Sequence, residues 1–113
     1  MAISFHSIGE RCVSFYADNT AVKGAPCKLS DNDTVGACNS GDSFFGVITD
    51  VKNGLATVVF SGFVELPYSG IPLVVGNIAL AADGNGGICA DEDADSRLVV
   101  SVDSVNKTAV IKL

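Results

Sequence analysis

The chain is predicted to be all-β, a small single-domain β-barrel or β-sandwich built from short antiparallel strands and hairpins. Three observations predict it. Twelve glycines, with many Asp, Asn and Ser, punctuate short apolar segments at intervals of about ten residues, the spacing of strands joined by turns. No segment places apolar residues at helical spacing, and strong helix formers are thin, with three Glu, five Lys and no Gln. Length sets the domain count. A chain of 113 residues hides roughly two-thirds of its unfolded surface in one core, so residues 1–113 are expected to form a single β domain.

Residues 1–11 precede the first strand and read as an extended N-terminal arm. Strands are then expected at 12–16, 25–29, 35–38, 44–51, 55–60, 63–66, 73–75, 78–80, 87–90, 98–103 and 108–113. Asn53-Gly54 joins two of them, and its tolerance of positive φ suits a type I′ hairpin turn. A second hairpin turns near residues 104–107. Pro67 and Pro72 cannot donate to a central ladder, so they mark edges or loops. Between them, residues 67–72 read as a rigid apolar loop.

Composition excludes several classes. Apolar residues make up 48% of the chain and charged residues 18%, against about 25% charged in ordinary domains. Such a chain has too much to bury to be disordered. Its longest apolar runs, 71–75 and 78–82, fall far short of the roughly 18–20 residues of a membrane span. The surplus is expected to be covered by a second molecule. A net charge of −6 repels phosphate and argues against nucleic acid as a partner. The first residues show no basic segment followed by an apolar stretch, so no secretory signal is expected. Cys12, Cys27, Cys38 and Cys89 form no Cys-x-x-Cys pair. Without export they read as four reduced, mostly buried thiols.

No chemistry-bearing constellation emerges. His6 is the only histidine, and no local motif pairs it with a nucleophilic cysteine. Laid over an EF-hand loop starting at Asp83, Asn85 and Asp91 fit, but Ile88 stands where Gly is needed and Ala94 where the bidentate Glu is needed. Residues 91–95 therefore read as a solvated acidic connector, and residues 31–33 as a capped turn. Glu10 and Glu65 lie far apart in sequence. No catalytic, cofactor or metal residue is expected, and the chain reads as no enzyme.

One family shares the order of the remaining motifs. Ala25-Pro26-Cys27-Lys28-Leu29 is followed by Phe45-Gly46-Val47-Ile48, then by residues 54–64 with Val58-Val59-Phe60-Ser61-Gly62 at their centre. Gly76-Asn77-Ile78-Ala79-Leu80 with Asp83-Gly84 comes next, and an apolar hairpin closes the chain. Over residues 20–113 this resembles the capsid decoration (head-stabilising, cement) proteins of tailed phages and prophages. The resemblance implies a β-rich subunit without catalytic residues that forms homo-oligomers, trimers in the first place, and clamps the major capsid protein on the virion surface. Before assembly such a protein would stand in the bacterial cytoplasm. The arm would then meet the shell through Ile3, Phe5 and Ile8. Apolar loop residues Phe63, Leu66, Pro67, Tyr68, Ile71 and Pro72 would complete the interface. The four cysteines are a departure, since this role does not require them. The alternative is a cytoplasmic β-barrel that binds a small ligand or a partner, with the ligand in the barrel mouth.

Overall fold

A computed structural model describes residues 11–113. It is all-β and contains no helix. The first half of the chain supplies five strands: β1 (Arg11–Ala17), β2 (Pro26–Asp31), β3 (Thr34–Ala37), β4 (Gly46–Lys52) and β5 (Leu55–Ser61). They close into a barrel in the order β1-β3-β2-β4-β5. The barrel closes because β1 runs antiparallel along β5, from Arg11 opposite Ser61 to Tyr16 opposite Leu55. Its other side meets β3 in a short parallel pairing, Tyr16 with Thr34 and Ala17 with Val35. That parallel contact departs from the all-antiparallel meander expected from sequence.

Alternation puts one face of each strand inside the barrel. Cys27, Val35, Ile48, Ala56 and Val58 fill it, flanked by Phe15, Ala17, Ala21 and Phe45. Phe15 and Phe45 meet edge to face at 5.6 Å. A five-stranded barrel is narrow, and mostly small residues, Val, Ala and Cys with one Ile, fill it. The β4–β5 turn is as expected: Asn53 and Gly54 both take positive φ, 53° and 78°.

The second half supplies β6 (Phe63–Pro67), β7 (Gly76–Ala82), β8 (Ile88–Ala90), β9 (Ser96–Asp103) and β10 (Thr108–Lys112). They form a sheet in the order β6-β10-β9-β7-β8. The sheet curls so far that its edges touch. Tyr68, just past β6, bridges to Ile88 of β8, and the Ser69 N–H donates to the Ile88 carbonyl at 3.0 Å. Gly87 makes this approach possible, because a Cβ there would stand 2.5 Å from the Pro67 carbonyl oxygen. Both edge strands are thereby partly covered, which removes the usual edge-to-edge liability.

One core joins the halves. Leu66, Tyr68, Leu73, Leu80, Ala82, Ile88, Val99, Ala109 and Ile111 line the curled sheet, while Cys38, Phe44 and Val47 reach in from the barrel side. The Arg97 guanidinium lies 4.5 Å over the Phe44 ring, and its Nη2 donates to the Phe44 carbonyl at 2.5 Å. Asp42 extends the seam: the Ala82 N–H donates to its carbonyl at 3.0 Å.

Two sequence expectations need correction. Residues 73–75 form no strand, although their aliphatic run resembles one. Pro72 withholds an N–H just before the run, and the ladder with β9 begins only at Gly76, opposite Val99. Residues 63–66 form the strand expected of them, β6, paired along its whole length with β10; what needs correction is the reading of Phe63 and Leu66 as residues of an apolar loop.

Candidate functional site

The most exposed aliphatic cluster in one loop lies between β6 and β7. Ile71 is 67% exposed, Val74 64% and Val75 65%. The loop is held at its start by Tyr68 and Ser69, at its middle by Leu73, and at its close by Gly76, which pairs with Val99 of β9. The Tyr68 N–H donates to the Lys107 carbonyl at 2.9 Å, the Ser69 hydroxyl donates to Asp83 Oδ2 at 2.9 Å, and Leu73 is buried in the core. Clamped ends with aliphatic side chains aimed at water make a preformed contact surface, because little chain entropy remains to be lost on binding.

Beside the loop runs a groove of about 300 Å³, lined by Ile71, Ile78, Ala79, Ala90, Asp91 and Glu92. Its acidic wall is the 91–95 connector, tied by Asp91 Oδ1 accepting the Asp93 N–H at 3.0 Å. A second apolar area lies on the barrel's outer wall. There Tyr16 and Leu55 are cross-strand neighbours, and both are exposed.

The residues named from sequence divide sharply. Ile3, Phe5, Ile8, His6 and Glu10 lie outside the described residues. Pro67, Ile71 and Pro72 are exposed, and Phe63 is half-buried. Leu66 and Tyr68 are withdrawn from any interface: at 1% and 4% exposure they are core residues. Strand alternation explains Leu66, which points inward between exposed Glu65 and Pro67. Tyr68 is pulled in by its bridge to Ile88. Val74 and Val75 are absent from the interface expected from sequence, because their apolar run reads there as a strand. Pro72 before them and Gly76 after them were the signal that they belong to a loop.

The titratable groups are arranged for structure. Burial pushes the Cys27 thiol up to about 12 and the Cys38 thiol up to about 11. Cys89 is also raised, by burial and then by Asp83 and Asp91. A nucleophilic cysteine needs the opposite shift. No disulfide links the four cysteines, and Cys12 is exposed. Asp83 caps its own turn, Oδ1 accepting the N–H groups of Asn85 at 2.7 Å and Gly87 at 3.0 Å. Asp42 is lowered first by the Lys28 ammonium, which donates to Oδ2 at 2.5 Å. Asp103 is lowered by the N–H and side chain of Asn106 and the N–H of Val105. Among the described residues, no three His, Cys, Asp or Glu side chains gather as a metal site would require.

A cleft of about 230 Å³ opens at the seam of barrel and sheet, lined by Val22, Ala25, Pro26, Ala37, Cys38, Ala82 and the 84–87 turn. The barrel axis itself is filled by side chains.

Fold and surface together define an all-β scaffold with a clamped aliphatic loop on its exterior. No protein-family model matches the chain, and no curated protein is detectably similar to it.

Proposed function

We propose that the chain is a non-enzymatic structural protein of a tailed-phage or prophage head, a capsid decoration protein that self-associates and clamps the major capsid protein on the outside of the shell. One observation carries the reading: Ile71, Val74 and Val75 stand in water on a loop whose ends are fixed. Covering such side chains yields roughly 25 cal/mol per Å², and repetition over a shell multiplies weak contacts into firm attachment. The barrel wall around Tyr16 and Leu55 is the surface available for contacts between copies. Homotrimers are the expected assembly.

A second reading, a module that binds a small apolar ligand, is favoured by the seam cleft. Sedimentation velocity and the genomic surroundings separate the two. The first reading expects a species near three times 11.6 kDa at micromolar concentration, and genes for a portal, a head protease and a major capsid protein alongside. A monomer at every concentration, encoded away from such genes, supports the second reading and removes the first.

A further inference from the structure

We infer that the groove between the 71–75 loop and the 91–95 connector binds a peptide segment in which aliphatic or aromatic side chains alternate with Lys or Arg. The inference rests on reading this loop as a docking surface, and not on which shell carries the partner.

The groove has two unlike walls. Ile71, Ile78, Ala79 and Ala90 form an apolar floor, and Asp91 and Glu92 form a carboxylate rim. Asp93 and Asp95 stand in the same connector. Among the described residues, none of these four carboxylates has a cation within ion-pair distance; the ion pair found is between Lys28 and Asp42. Arg97 feels Asp95 through space. It is nevertheless committed inward, stacked on Phe44 and donating to the Phe44 carbonyl, so the outer side of the connector stays uncompensated.

An apolar floor under an uncompensated acidic rim selects its occupant by charge. A segment carrying carboxylates would be repelled, and so would phosphate. A second copy of this chain carries a net charge of −6, which disfavours it as the occupant of an acidic rim. A neutral apolar segment would fill the floor and leave the rim unpaired. An extended segment of alternating type satisfies both walls, since successive side chains point to opposite sides. The apolar set enters the floor while the cationic set reaches the carboxylates. Asp91 is partly spent on its own turn, which leaves Glu92 and Asp93 as the residues that read the cation.

The test is fluorescence anisotropy with the full chain and three fluorescein-labelled peptides of equal length, alternating leucine–lysine, leucine–serine and serine–lysine. The leucine–lysine peptide is expected to bind at least about tenfold tighter than either control, and to weaken several-fold between about 50 and 500 mM salt. Ile71→Ser and the pair Glu92→Lys/Asp93→Lys should each weaken it about tenfold or more. Asp31→Lys/Asp50→Lys makes the same change of net charge elsewhere and should shift it less than about threefold. Equal effects of the two charge-reversed pairs would overturn the inference, as would equal binding of the serine–lysine peptide. An NMR titration of the unmutated chain gives an answer independent of any variant: shifts must centre on Ala79, Ala90 and Glu92, and shifts centred elsewhere reject the groove. Binding of these peptides without attachment to a shell would leave this inference standing and remove the decoration role. Attachment without peptide binding would do the reverse.

Discussion

Ile71, Val74 and Val75 each forgo roughly 1–2 kcal/mol by standing largely in water, while Leu66 and Tyr68, four and two residues before Gly70 in the same stretch of chain, are buried. Side-chain direction separates the two groups, and direction follows from strand alternation and loop anchoring rather than from residue type. Composition could therefore show that apolar surface was in surplus but not which residues carried it. The thiols were more legible, since free cysteines behave as small apolar residues and are expected inside. Cys27 and Cys38 obey this, and Cys12 does not. At mildly alkaline pH, a thiol reagent should label Cys12 rapidly and Cys27 and Cys38 only after unfolding, read by mass spectrometry of the digest. Because the folded Cys27 keeps its proton up to about 12 against an ordinary 9.0, its contribution is complete below pH 9 and is lost as pH rises through that window. Cys27→Ala should flatten this alkaline fall in a series of thermal melts. Asp42 has the opposite sign. Its carboxyl is held below 3.8 by Lys28, so its contribution is present above about pH 4 and lost as pH falls further. Asp42→Asn should lower the melting temperature at neutral pH and bring it level with the unmutated chain in strong acid.

At the scale of elements, turn chemistry was the clearest signal. Asn53-Gly54 predicted the β4–β5 hairpin, and the turn before Thr108 predicted β9–β10, where Lys107 takes a φ of 58°. Closure was not legible. The parallel β1–β3 contact and the Tyr68–Ile88 bridge join residues far apart in sequence, and nothing local in either partner announces the other. Gly87 could be read only as a turn glycine, yet its lack of a side chain lets β8 reach the end of β6. Gly87→Val should cost about 2–3 kcal/mol in denaturant unfolding, the range for forcing atoms into a packed site. A change under about 0.5 kcal/mol would show that the sheet closes without this contact. The strand wrongly expected at 73–75 follows from the same limit, because an aliphatic run of three is equally a strand or an exposed loop until its partner is known.

The molecule as a whole is a closed barrel with its own filled interior and a curled sheet whose core reaches into the barrel side, with charge sparse enough that apolar side chains reach the outside, notably at the 71–75 loop and the Tyr16–Leu55 wall. We propose that the 71–75 loop with its acidic groove serves one kind of partner and the Tyr16–Leu55 wall another. The binding role proposed for this scaffold rests on the exposed aliphatic side chains of the 71–75 loop. Attachment to a shell tests that role most directly. Should a major capsid protein be encoded beside this chain, as the proposal expects, expanded shells assembled from it are pelleted with increasing amounts of the chain. The account predicts saturable co-pelleting at a fixed ratio of chain to capsid subunit, reduced about tenfold or more in affinity by Ile71→Ser/Val75→Ser, since two exposed aliphatics covered by a partner are worth at least about 1.4 kcal/mol. A chain that stays in the supernatant at every concentration, or that pellets equally with and without those two substitutions, would contradict it.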